Sequence, residues 1–122
     1  MTLTNTALAA IRDAAATHLD ATYTHAAVGD DATAEDATDT TLGNEQLRKT
    51  FQETTGPTAG VWTASMRIAT TEDNGNNIKE GGIFDDPTTG TMLNRKLTTV
   101  FAKTASDEVW IDVEFTVTAV QN

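Results

Sequence analysis

Carboxylates are the reactive side chains this sequence holds in quantity: 18 Asp and Glu stand against 8 Lys and Arg, a formal charge of −10 over 122 residues. Two adjacent pairs, Asp85-Asp86 and Asp107-Glu108, invite comparison with the acid/base pair of a glycoside hydrolase. That chemistry needs two carboxylates facing one bond, separated by roughly 5–10 Å. Neighbours in a strand point to opposite faces, and both pairs border turns, so solvated turn acids are the reading that fits. His18 and His25 are the only imidazoles and there is no Cys, which excludes thiolate catalysis, disulfides and Cys/His zinc sites. His25, flanked by small residues, reads as a packed or capped imidazole. There is no Gly-x-Ser-x-Gly, phosphate loop or Ser/His/Asp set. The acidic run 30–39 and the segment 72–77 offer oxygen ligands but lack the spaced ladder and distal Glu of a calcium loop. No catalytic, cofactor-binding or metal-ligating residue is expected.

The charges that remain of interest are structural. Arg95 alternates onto a face with Leu93, Leu97 and Phe101, and a guanidinium on an apolar face needs a partner. Glu80 or Glu45 is the natural one, so Glu45, Arg48, Glu80 and Arg95 are the candidates for a structural salt bridge, with a binding site for an acidic ligand as the alternative for Arg95. Trp110 stands apart from the apolar alternation of the last strand, among Asp112 and Glu114. Such a residue is an interface anchor, a platform for a sugar, or an element buried under the N-terminal helix.

These residues need elements to place them. Residues 4–20 read as one helix, capped by Thr4 or Asn5, with Leu8, Ile11, Ala15 and Leu19 on one stripe. The stripe is thin for an isolated helix, so Leu8, Ile11 and Leu19 are candidate contacts with a sheet or another subunit. A short extended run follows at 22–28. Residues 30–39 contain no large apolar side chain and read as an exposed loop. Leu42 to Thr54 fits a turn leading into a strand. Trp62, Ala64, Met66 and Ile68 alternate as a half-buried strand, and Asn74-Gly75 suggests a hairpin turn to a partner strand at 78–84. Residues 91–101 and 109–117 are two further strands. The expected fold is mainly β: an antiparallel sandwich of about six strands with one N-terminal helix, a single domain over 1–122 with the sandwich in 22–122.

Composition bounds the partners. A chain this acidic repels phosphate backbones, no run approaches the roughly 18 apolar residues of a membrane span, and no secretion signal heads it. Neither nucleic-acid binding nor membrane insertion is expected, and synthesis is expected in the cytoplasm. Leu, Ile, Val and Phe number only 23, a level at which disorder competes, and the strand alternation argues against it. With 25 Thr and 4 Lys, the acidic surface suits concentrated salt, where the Debye length falls to roughly 3 Å near 1 M. A halophilic source is the expectation.

Five segments occur in an order that resembles small structural proteins of tailed viruses of bacteria and archaea, of the tail-fibre or tail-collar kind. They are Thr24-His25-Ala26-Ala27-Val28-Gly29, Leu42-Gly43-Asn44-Glu45-Gln46-Leu47-Arg48, Asn77-Ile78-Lys79-Glu80-Gly81-Gly82-Ile83-Phe84-Asp85, Gly90-Thr91-Met92-Leu93-Asn94-Arg95, and Lys103. Asn5-Thr6-Ala7-Leu8 with Ile11-Arg12-Asp13 is similar to the short helix heading many of them. Gly81 departs from the usual Ala and Ile83 from the usual Leu. The resemblance implies a virion component, a β-sandwich in a symmetrical assembly whose partners are copies of itself and other virion proteins. Together with the acidity, it implies a haloarchaeal tailed virus. A module that binds host-surface glycan or protein through Trp110 and loop acids is the alternative.

Overall fold

The computed structural model describes residues 2–120. The chain forms α1 (Asn5–Thr22), then β1 (His25–Gly29), β2 (Glu45–Thr50), β3 (Glu53–Thr58), β4 (Val61–Ile68), β5 (Asn77–Phe84), β6 (Met92–Ala102) and β7 (Val109–Thr116). The strands make two antiparallel sheets, ordered β2-β1-β5-β6 and β3-β4-β7. The mainly-β sandwich with an N-terminal helix is the observed fold, with seven strands among the described residues. The additional one is β3, whose Glu-Thr-Thr-Gly-Pro-Thr has no apolar period to announce it.

The inner faces meet as alternation requires. Ala26, Val28 and Ile78 of one sheet pack on Met66 and Ile68 of the other, while Trp62, Ala64 and Ile83 form a second cluster with Phe51, Leu93, Val113 and Phe115. Trp62 is fully buried, with Phe51 edge-on at 5.8 Å and Phe115 stacked at 5.7 Å. The chain first changes sheets at the corner between β2 and β3. There the Phe51 N–H donates to Thr24 O of the first sheet's side and the Gln52 N–H to Ser65 O of the second.

Asn74-Gly75 is not a hairpin turn. Both edges of β4 are taken by β3 and β7, and β5 lies in the other sheet, so the segment after β4 is a crossing between layers. Its Gly75, at φ 84°, donates its N–H to Lys103 O. The true two-residue hairpin turn is Ala59-Gly60, between the paired Thr58 and Val61, with φ of 51° and 78°. An Ala at positive φ is costly, so this turn carries no Asn-Gly-like signal.

Helix α1 begins where expected, with Thr4 as its cap accepting from the Ala7 N–H at 3.2 Å, and runs two residues further, to Thr22. It lies against β3 and β4. Its buried face is not the expected stripe: Ala16 is fully buried and Leu19 and Tyr23 join the Trp62 cluster, but Ile11 is 54% exposed and Ala15 is exposed. On the same side Trp62 donates its indole N–H to Asp20 Oδ1 at 2.8 Å, holding this face of the helix to the sheet. Of the interface candidates, Leu19 therefore belongs to the chain's own core, Leu8 is half-buried, and Ile11 faces out. No helix of the described residues is long and apolar enough to cross a membrane.

Candidate functional site

The outer face of the four-stranded sheet is organised by register. Arg48 of β2, Ala27 of β1, Gly82 of β5 and Arg95 of β6 lie in one row across it. Register partners share a face, so two arginines flank a trough floored by Ala and Gly. Leu42 fills the trough, 5% exposed, against Ala27, Phe84 and Met92. A Cβ on Gly82 would come within 3.0 Å of Leu42 Cδ2 and 2.8 Å of Asn94 O, so only glycine leaves room.

Leu42 anchors residues 30–44 as a strap across this face. The segment expected to be an exposed loop does expose most of its side chains, and it is tied down from beneath. Glu80, fully buried, accepts from the Gly43 N–H at 2.9 Å, the Asn44 N–H at 2.8 Å and Arg95 Nε at 2.7 Å. Gly29 lies opposite Glu80 in register, and a Cβ there would fall 2.4 Å from both Glu80 Oε1 and Asn44 O. Arg95, its side chain 4% exposed, reaches from Glu80 to the strap: Asp39 Oδ2 at 3.3 Å, Ala34 O at 3.4 Å and Asp31 O at 3.5 Å. Further along, Glu35 Oε1 accepts the Leu97 N–H at 2.7 Å, occupying a main-chain donor of β6, an edge strand of this sheet. Edge donors covered in this way are withheld from other strands.

The second arginine holds a different segment. Arg48 pairs with Glu45 at 2.6 Å, lies 3.6 Å over the Phe84 ring, and donates to Asp86 O at 2.9 Å and Thr89 O at 2.7 Å. Of the two partners open to Arg95, Glu80 is the one used, and Glu45 serves Arg48. Arg95 does not share a face with Leu93, as alternation had suggested. A register shift between Ile83 and Phe84 makes Leu93 the extra residue of β6 and turns it into the core with Trp62, while a second shift lies between Ile78 and Glu80. Bulges of this kind invert alternation without changing composition.

The surrounding ionisations follow from hydrogen bonding. The hydroxyl and N–H of Thr33, and then the Arg95 charge, hold the Asp31 carboxyl below its ordinary value. The hydrogen bond to Glu80 raises Arg95. The Thr89 and Thr88 N–H groups lower Asp86 to about 2.

Asp85, Asp86 and Asp107 each accept from turn N–H groups, of Thr91, of Thr88 and Thr89, and of Thr104. Glu108 pairs with Arg67 at 3.1 Å. His25 Nδ1 lies 2.8 Å from Thr24 Oγ1 and His18 Nδ1 3.4 Å from Thr22 Oγ1. Clefts of about 360 and 330 Å³ flank Arg95, walled by strap residues such as Asp36 and Asp39. Among the described residues no three His, Asp or Glu converge as a metal-ligand set. Lys103, 1% exposed, is a buried charge sequence reasoning did not single out as a site; its Nζ donates to Asn74 Oδ1 at 2.8 Å and Thr104 O at 2.9 Å, fastening the layer crossing to the end of β6. Strap residues Asp31, Glu35 and Asp39 were also missed, because nothing local says which strand a loop acid will reach.

Trp110 is on the outer face of the three-stranded sheet, 41% exposed, with its indole N–H donating to Glu108 Oε1 at 2.9 Å and Arg67 opposite in register. The helix does not bury it, since α1 lies on β3 and β4 while Trp110 sits on the edge strand β7. Compared with known proteins, the chain matches no family model and no curated sequence.

Proposed function

We propose that this protein is a non-enzymatic structural subunit of a tailed-virus particle, assembling with copies of itself and other virion proteins in a tail fibre, baseplate or head projection. One observation supports this most. The segments that resemble tail-fibre and tail-collar proteins, scattered from Thr24 to Lys103, supply β1, β2, β5, β6 and the end of the strap, and Glu45, Arg48, Glu80 and Arg95 among them are the pins of one sheet face. Such residues tie the strap to the sheet, a structural use of charge that fits a building block. The acid excess points to a haloarchaeal host, where salt screens the repulsion between subunits. Sedimentation of the purified chain in molar KCl, with negative-stain imaging of the product, tests the reading. A defined ring or fibre that dissociates on dialysis to dilute buffer is expected, and a monomer in both would overturn it.

Exposed Trp110, between Arg67 and Glu108, favours a second reading as a glycan- or receptor-binding module. On a glycan array, binding that is lost in Trp110→Ala would select that reading.

A further inference from the structure

We infer that copies of this chain meet through the N-terminal half of α1 together with the tail at Ala119 and Val120; the inference rests on the self-assembly in the proposed function. Ala16, Leu19 and Tyr23 dock the far half of the helix on its own sheet, whereas Ile11 is 54% exposed and Val120 76% exposed. The helix start and the tail lie together, since Asn5, Leu8, Ala9, Arg12 and Ala119 line one open cleft of about 190 Å³.

Charge decides which occupant fits. Within residues 2–19 the ionised side chains are Arg12 and Asp13, which pair with each other at 3.0 Å. That segment is neutral, and the net charge of −10 belongs to the rest of the chain. A second copy brings the same acid excess, so it is repelled where carboxylates are dense and little repelled here. Exposed Trp110 illustrates the contrast: it stands among Glu108, Asp112 and Glu114, which a symmetrical contact would place near their own copies. A basic partner would choose the acidic strap over this neutral face. A membrane-surface helix carries many Lys and Arg on its polar side, and this one has Arg12 alone.

The test compares the full chain with Ile11→Glu, Val120→Glu and Trp110→Glu by sedimentation equilibrium in molar KCl, with circular dichroism to follow folding. The wild type and Trp110→Glu should associate alike. Ile11→Glu should weaken association at least tenfold with an unchanged melting curve, and Val120→Glu should do the same should Ile11→Glu alter the fold. Association by folded Ile11→Glu and Val120→Glu as strong as wild type would overturn this face and leave self-assembly standing. A wild type that stays monomeric would overturn both. Binding of monomeric wild type to phosphatidylcholine vesicles, lost in Ile11→Glu, would overturn the second copy as occupant.

Discussion

The two outer faces of the sandwich each carry an arginine–glutamate pair on neighbouring elements, and the two pairs differ in cover. Arg95 and Glu80 have side chains 4% and 0% exposed beneath a strap, while Arg67 and Glu108 have side chains 38% and 42% exposed in open water. Distances barely separate them, at 2.7 and 3.1 Å. What separates them is the work left undone if one partner is removed. Water can take over the exposed arginine, whereas the buried one, or the two strap N–H groups that share Glu80, would be left without an acceptor.

The largest effect should therefore come from Glu80→Ala. Stripping the acceptor from Arg95, Gly43 and Asn44 together should cost about 3–5 kcal/mol, seen as a collapse of the urea midpoint. An unchanged midpoint would mean that water reaches the pair. Gly29→Ala should follow, since its Cβ has to displace Asn44 O and Glu80 Oε1 from 2.4 Å, at about 1–3 kcal/mol. Gly81 is the counterpart: a Cβ there meets Ala27 O at an ordinary 3.6 Å, so Gly81→Ala, the residue usual in the proteins this chain resembles, should gain about 0.4–1 kcal/mol.

Acid should act on the turns next. Asp86 is held at about 2 in the fold, below its ordinary 3.8, so the unfolded chain takes up the proton first as pH falls. The stability it contributes is present above the ordinary carboxylate range and lost between roughly pH 4 and 2. Urea midpoints across that window should fall less in Asp86→Asn than in wild type. The smallest effect should be that of Glu108→Ala, a midpoint within experimental scatter of wild type in molar salt. A large loss there would break the contrast between the faces.

Strand identity was legible where burial is one-sided. Trp62 to Ile68 and Val109 to Phe115 alternate because each packs one face on the other sheet and wets the other. Which strands pair was not legible, as the Asn74-Gly75 segment shows: a good local turn sequence lost to the demand that β4 and β5 occupy different layers. The pairing of Arg95 with Glu80 was within reach because a guanidinium in an apolar strand needs a carboxylate. The role of the strap was not, because Asp31, Glu35 and Asp39 acquire partners only when Leu42 finds a trough made by the distant Ala27 and Gly82. The helix face was legible only in part: periodicity favours Leu8, Ile11, Ala15 and Leu19, and of these Leu19 reaches the core, where Ala16, Tyr23 and the hydrogen bond from Trp62 to Asp20 hold the far half of the helix.

The central position of β1, between β2 and the much later β5, also bears on how the chain is made. At roughly 5–20 residues per second, a ribosome needs several seconds to pass from His25 to its register partner Phe84. Throughout that interval β1 can pair only with β2, and its other edge is a bare template for any neighbouring nascent chain. The acids of the strap lie in the connection between those two strands, so they are already present while the edge is open. Acids beside an open strand edge hold the position of gatekeeper residues, and here the same loop goes on to close over the finished sheet once β5 arrives.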